Sequence, residues 1–251
     1  MSQPLVRVPP LDNRMRPLHR LFGAEWRAAL PSQCCVCHAW PAPTLCARCV
    51  TRFAPAQPRC ERCALPVPPG VRVCGACLGT PPPVDQCLAA LPYAWPWGEV
   101  IARFKFTAEP GLAAPLGALL RAAPGVAGVL AGADLVLPLP LSDERLAERG
   151  YNPAQLLAQQ LAPAPPVRLD LLLRTRHTAP QHDLPRAERL RNVRGAYAVD
   201  PLRAAALAGR RVVLVDDVMT TGASLHEAAR AVRSAGATHV AALALARTDG
   251  H

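Results

Sequence analysis

Two adjacent acids, Asp216 and Asp217, follow four apolar residues and lead into a short, hydroxyl-rich turn. The full string is Val212-Val213-Leu214-Val215-Asp216-Asp217-Val218-Met219-Thr220-Thr221-Gly222-Ala223-Ser224. Carboxylates here can accept hydrogen bonds from sugar hydroxyls, while Thr220, Thr221 and Ser224 add hydroxyl donors for an anion. Gly222 lets the backbone approach that anion closely. The ligand these groups suit is a sugar with a phosphate at one end.

Such chemistry needs elements that hold it in place. The apolar run 212–215, bounded by polar residues, predicts a buried parallel strand. Residues 224–235 predict a helix with Leu225, Ala228, Ala229 and Val232 on one face. Ser224 and Glu227 have capping-box spacing at its start, and Gly236 supplies a stop. The intervening loop then lies at the amino end of a helix, where unpaired N–H groups and the dipole favour phosphate. Acids and threonines in such turns also serve as plain caps, and the string alone leaves that alternative open. A nucleotide-hydrolase phosphate loop does not fit: no Gly-x-x-x-x-Gly-Lys-Ser/Thr run exists, and Lys105 is the only lysine. The thirteen residues resemble, at every position, the phosphoribosyl-pyrophosphate (PRPP) motif of type I phosphoribosyltransferases.

A second chemistry stands at the front of the chain. Eight cysteines form four pairs, Cys34/Cys37, Cys46/Cys49, Cys60/Cys63 and Cys74/Cys77, each with two residues between. That is the knuckle spacing by which two thiolates reach one zinc ion. The segment is rich in proline and poor in large apolar residues, so metal is expected to supply its folding free energy. Two tetrahedral sites are the economical assignment, the first two pairs sharing one zinc and the last two another; an interleaved arrangement stays open. Closed four-thiolate sites imply structure or docking, not catalysis. Cys87 is expected to pack as a small apolar residue, and Cys35 to lie within a knuckle.

Pro81-Pro82-Pro83 reads as a linker. Residues 87–97 suit a strand pair or a cover over the main sheet, and 98–106 and 111–121 suit helices broken at Pro110. Lys105 sits between Phe104 and Phe106. Residues 135–140 predict a second buried strand ended by prolines, followed by an arginine-bearing loop and a helix to about 161. Diphosphate needs backbone donors and cationic side chains together, which makes that loop a candidate pyrophosphate site. A solvated turn in which Arg145 pairs with Glu148 is the competing reading. A third strand is expected over 167–173. The long basic segment 174–192 suits a binding loop or lid. Strands over 195–200, 211–216 and 239–246 complete an alternation that implies a largely parallel sheet with helices on both faces.

Composition narrows the class. With 251 residues and 51% hydrophobic content, the chain can bury a core. No run of eighteen apolar residues predicts a membrane span, and the amino terminus lacks a signal-peptide segment, so a cytoplasmic protein is expected. The net charge of +10 is carried almost wholly by arginine. Arginine suits polyphosphate or nucleic acid, although uniform arginine usage is equally what genomic base composition produces, and no basic block marks a nucleic-acid tail.

From about Cys34 to Arg247 the layout resembles the ComF family (ComFC/GntX type) of competence-associated, phosphoribosyltransferase-like proteins. The matching segments, besides the cysteine pairs and the acid motif, are Phe104-Lys105-Phe106, Pro138-Leu139-Pro140-Leu141, and Arg145-Leu146-Ala147-Glu148-Arg149-Gly150-Tyr151-Asn152. Thr178-Ala179-Pro180-Gln181, Arg186-Ala187-Glu188-Arg189 and Asn192-Val193-Arg194-Gly195-Ala196-Tyr197 complete them. The resemblance implies an α/β type I phosphoribosyltransferase fold over 85–248, a double zinc-ribbon-like domain over 31–80 and an extension over 1–30. It implies that Asp216 and Asp217 hold the ribose hydroxyls, directly or through Mg2+, as the catalytic acids. Val218, Met219, Thr220, Thr221, Gly222, Ala223 and Ser224 would complete the PRPP site. Lys105, Pro140, Leu141, Arg145, Arg149, Arg174, Arg191 and Arg194 are the pyrophosphate-loop and flap candidates. In related enzymes a nucleophile displaces pyrophosphate at the anomeric carbon. The family's link to natural transformation adds single-stranded DNA or an uptake ATPase as expected partners, and an accessory that binds PRPP without turnover as the alternative. The acceptor and the oligomeric state are not named by any residue.

Overall fold

The structure is a computed structural model and describes residues 32–175 and 195–249. Two short helices, α1 (Ala47–Phe53) and α2 (Gly75–Gly79), precede strand β1 (Gln86–Pro92). Helices α3 (Trp97–Phe106), α4 (Ala113–Ala122) and α5 (Val126–Ala131) follow. Strand β2 (Leu135–Pro138) leads to α6 (Asp143–Arg149) and α7 (Pro153–Gln159). Strands β3 (Leu172–Arg174) and β4 (Tyr197–Val199) come next, then β5 (Arg211–Met219), α8 (Ala223–Ser234) and β6 (His239–Arg247).

The main sheet has the order β1-β6-β5-β2 and every pairing in it is parallel. Parallel neighbours require crossovers, and the crossover helices cover both faces, which is why β5 and β6 read as unbroken apolar runs. Alternate residues divide between two cores. Val212, Leu214, Val240 and Ala242 pack with Leu225, Ala228 and Val232 of α8. Val213, Val215, Ala241 and Leu243 pack with Leu116 and Leu120 of α4 and Leu157 of α7.

Several expectations change. Strand β5 does not stop at the acids but runs on to Met219, with Asp216 opposite Ala244 and Val218 opposite Ala246. The small partners leave room for carboxylates on a strand whose backbone bonding is indifferent to side-chain polarity. Residues 167–173 do not form a third strand of this sheet. Val167 makes one parallel bridge to Val136, and Leu172–Arg174 pairs antiparallel with Tyr197–Val199 as a separate ribbon. Residues 87–97 supply one parallel strand of the sheet, β1, and then enter α3. The helix expected to reach about 161 forms as α7 and ends at Gln159, while the arginine-bearing loop before it holds a helix of its own, α6, closed where Gly150 turns left-handed at φ 77°.

The cysteine-rich segment rests on this body at two places. Cys60, Cys63, Ala64 and Cys77 belong to the same buried cluster as Met219 and Leu225, and the N–H of Cys87 donates to Glu61 at 2.7 Å. Farther forward, Trp97 Nε1 donates to the Phe53 carbonyl at 2.6 Å and Arg103 reaches the Cys35 carbonyl at 3.4 Å. Cys87 is buried as expected, 1% exposed.

Candidate functional site

Strand β5 delivers its acids to the carboxyl edge of the sheet, where α8 begins. Gly222 stands at the helix N-cap with φ 82°, and its carbonyl accepts the His226 N–H at 2.8 Å. A Cβ there would lie 2.5 Å from Met219 Cε and 2.9 Å from the His226 ring. The conformation therefore favours glycine, and any added side chain would push Met219 and the His226 ring aside. The expected capping box does not form. The helix begins one residue early, so Ser224 falls inside its first turn. Glu227 instead accepts the Gly195 N–H at 2.7 Å and pairs with Arg230. Thr221 Oγ1 accepts the Ala223 N–H at 3.3 Å, which folds the turn onto the helix start.

The acids have distinct surroundings. Asp217 is 7% exposed and receives Lys105 Nζ at 2.9 Å. Asp216 Oδ1 accepts the Asp217 N–H at 2.9 Å. Burial, and then the like charge of Asp217, pushes the Asp216 carboxyl up to about 7. The two adjacent carboxylates are hard oxygen donors of the kind Mg2+ takes, with Lys105 held against Asp217.

Both acids line a cavity of about 650 Å3. Arg145, Arg149 and Arg174 all line it. Burial, followed by the charges of Arg174 and Arg149, lowers the Arg145 pKa. Arg149 stacks 5.0 Å from the centre of the Phe106 ring. The Arg174 guanidinium lies 5.4 Å from the centre of the Tyr197 ring and donates to its hydroxyl at 3.2 Å. Asn152 secures the loop beneath: its side chain caps α7 by accepting the Ala154 N–H at 3.0 Å and donates to the Leu139 carbonyl at 2.9 Å.

The cysteines gather as two groups, Cys34/Cys37/Cys46/Cys49 and Cys60/Cys63/Cys74/Cys77, with all sulfurs of a group within 4.8 Å. The sequential pairing holds and the interleaved one does not. Cys37–Cys46 and Cys63–Cys74 sulfurs are each 3.7 Å apart, and Cys34–Cys49 are 3.9 Å apart. Tetrahedral zinc with bonds of about 2.3 Å separates its sulfurs by about 3.8 Å, so the groups fit the ion. Burial opposes the Cys34 and Cys60 thiolates, yet neighbouring backbone N–H groups bring them down to about 6 and about 7. These are knuckle amides turned toward a sulfur that is to carry charge.

Of the predicted site residues, Asp216, Asp217, Val218, Thr220, Thr221 and Ser224 line the cavity, as do Lys105, Pro140, Leu141, Arg145, Arg149 and Arg174. Met219, Gly222 and Ala223 shape the turn from behind. Arg191 and Arg194, with most of the expected flap, lie outside the described residues. Sequence reasoning missed Leu65, Tyr93, Arg247 and Asp249 on the cavity wall. Arg247 alone carried a signal, as a charge closing the apolar run of β6.

A parallel sheet bearing an acid pair and hydroxyl turn before a helix defines a phosphoribosyltransferase-like protein. The family model for the phosphoribosyl transferase domain matches residues 146–250. Among curated proteins, the DNA utilization protein YhgH of Escherichia coli O6:H1 (strain CFT073) is 34% identical over 177 residues, 68% of this chain and 76% of that one. Competence protein F of Haemophilus influenzae is 34% identical over 160 residues, 62% of this chain and 69% of that one. The chain belongs to this ComF family, with its phosphoribosyltransferase-like domain preceded by the two four-cysteine groups of a double zinc ribbon. Among solved structures, the glutamine PRPP amidotransferase from B. subtilis aligns with TM-score 0.36 and 21% identity, over 57% of this chain and 30% of that one. No helix among the described residues is long and apolar enough to cross a membrane.

Proposed function

We propose that the chain binds PRPP with Mg2+ at the turn after β5 and passes the phosphoribosyl group to an acceptor, in the service of DNA utilisation. The observation that carries this reading is that one cavity joins the acid-hydroxyl turn to three arginines. Asp216 and Asp217 hold the ribose hydroxyls. Thr220, Thr221, Ser224 and the first N–H groups of α8 hold the 5-phosphate. Arg145, Arg149 and Arg174 hold the diphosphate and balance its charge as the bond from the anomeric carbon to oxygen breaks and the bond to the acceptor forms. When bound, Mg2+ supplies further positive charge to the departing diphosphate. Lys105 orients Asp217 through the 2.9 Å ion pair between them. The test is pyrophosphate release from PRPP across a panel of nucleobase and amine acceptors, with Asp216→Asn plus Asp217→Asn as control. No turnover above that control for any acceptor counts against transfer.

A second reading is a PRPP-responsive accessory of single-stranded DNA import that binds without turnover. The buried Lys105–Asp217 pair favours it, because the ammonium competes with a cation for that carboxylate. The names of the competence and DNA-utilisation relatives and the +10 charge support single-stranded DNA or an uptake ATPase as partner. Transformation frequency in a deletion strain, and single-strand affinity with and without residues 1–80, measure that role. Unchanged transformation refutes it.

A further inference from the structure

Arg247 ends β6 and is 4% exposed, a buried cation at the close of an apolar strand. Its guanidinium faces two ways. Nε donates to the Cys63 carbonyl at 2.9 Å, within the turn that presents two of the second cluster's sulfurs. Nη1 donates to the Met219 carbonyl at 3.1 Å and to that of Thr220, the residues that open the phosphate turn, and also to the carbonyl of its neighbour Thr248 at 2.8 Å. The rigid fork of an arginine can hold such separated carbonyls together, and a lysine cannot. Apolar packing runs parallel to this link. Cys63 and Ala64 share a buried cluster with Met219, and Cys87 Sγ lies 3.4 Å from Met219 Sδ. Leu65, the next residue after that turn, lines the cavity itself.

We propose that Arg247 is a positioning residue through which metal held by Cys60, Cys63, Cys74 and Cys77 sets the geometry of the phosphate turn. Without metal, four thiols this close no longer fix the knuckle, so the Cys63 carbonyl is free to shift. Arg247 then loses one anchor, and the carbonyls of Met219 and Thr220 lose a fixed partner. The guanidinium charge, little screened where it is buried, also adds to the field at the turn. The first cluster makes its contacts with α3 instead. The effect on affinity rests on the PRPP reading; the mechanical coupling does not.

The test uses the full chain as wild type, Cys74→Ser plus Cys77→Ser, Arg247→Met, Arg247→Lys, and the cysteine pair combined with Arg247→Met. Zinc content, amide hydrogen exchange over residues 216–224, and calorimetric titration with PRPP and Mg2+ are read for each. Exchange over residues 135–161 reports whether the rest of the sheet stays folded. Loss of the second metal, and Arg247→Met alone, are each expected to speed exchange at 216–224 and weaken PRPP by at least about tenfold (about 1.4 kcal/mol). The combined variant is expected to be no worse than either. Arg247→Lys is expected to regain affinity while exchange stays fast, because it restores charge without the bridge. Additive losses in the combined variant, or unchanged exchange at 216–224 with 135–161 intact, overturn the proposal. Should the cysteine variant unfold throughout, Arg247→Met decides: unchanged exchange at 216–224 with both zincs retained overturns it. A wild type that ignores PRPP yet shows the coupled exchange pattern keeps the coupling and removes the PRPP reading.

Discussion

Replacing Gly222 by alanine tests the turn where backbone and space act together. The residue has φ 82°, and holding a side chain in that region costs about 1–2 kcal/mol. The new methyl would also meet Met219 Cε at 2.5 Å and the His226 ring at 2.9 Å. Forcing a methyl into packed surroundings adds about 1–3 kcal/mol. The two terms together come to about 2–5 kcal/mol, or roughly 4–20 °C in Tm for a chain of this size. Gly150→Ala is the matched control, since Gly150 has φ 77° with nothing within 4 Å of an added Cβ. It carries the conformational cost alone, about 1–2 kcal/mol. Chemical denaturation of both variants with calorimetric PRPP titration is the assay. Gly222→Ala is expected to lose more stability than Gly150→Ala, and to lose PRPP affinity where the control keeps it. Equal stabilities, or a Gly222→Ala protein that binds PRPP like wild type, would refute the reasoning.

Three further outcomes follow from buried charge and metal. His226 Nε2 is buried with no hydrogen-bond partner among the described residues, and burial, then Arg230 and Arg247, pulls the ring down to about 4. The unfolded chain therefore binds this proton first. Stability falls as pH drops from about 6.5 to about 4, and urea melts of His226→Gln should show a shallower fall over that window. Asp216 has the opposite displacement for an acid, up to about 7, so the folded state loses stability as pH rises toward neutrality. Asp216→Asn is expected to raise the ligand-free Tm at pH 8 by roughly 2–4 °C, about 1 kcal/mol, while it weakens PRPP; a lowered Tm contradicts the burial argument. Metal analysis should find about two zinc ions per chain, and a strong chelator should collapse the far-ultraviolet spectrum of the amino-terminal segment. A metal-free protein with an unchanged melt contradicts that.

The chemistry that was legible in the sequence is contiguous. Residues 212–224 carry strand, acids, turn and helix start in one stretch, and the cysteine pairs state their spacing outright. The rest depends on chain segments that meet only in the fold. Lys105 looked like a lysine between two aromatics, because its partner Asp217 is 112 residues away. Arg247 looked like the end of a strand, because the Cys63 carbonyl it binds is 184 residues away. The stretch 167–173 reads as a sheet strand, but its end pairs with Tyr197–Val199 in a ribbon that local periodicity cannot distinguish from the main sheet. Ser224 and Glu227 matched a capping box in spacing alone. Gly222 starts the helix earlier, and Glu227 serves the Gly195 N–H instead.

Calorimetry with PRPP, pyrophosphate and Mg2+ on wild type and on Asp216→Asn plus Asp217→Asn addresses the central claim most directly. The wild type is expected to bind PRPP with Mg2+ at one site per chain, and the double variant to lose that binding while keeping its zinc and its fold. A wild type that shows no heat with PRPP, or a double variant that binds it equally well, contradicts the claim that the turn after β5 is a PRPP site.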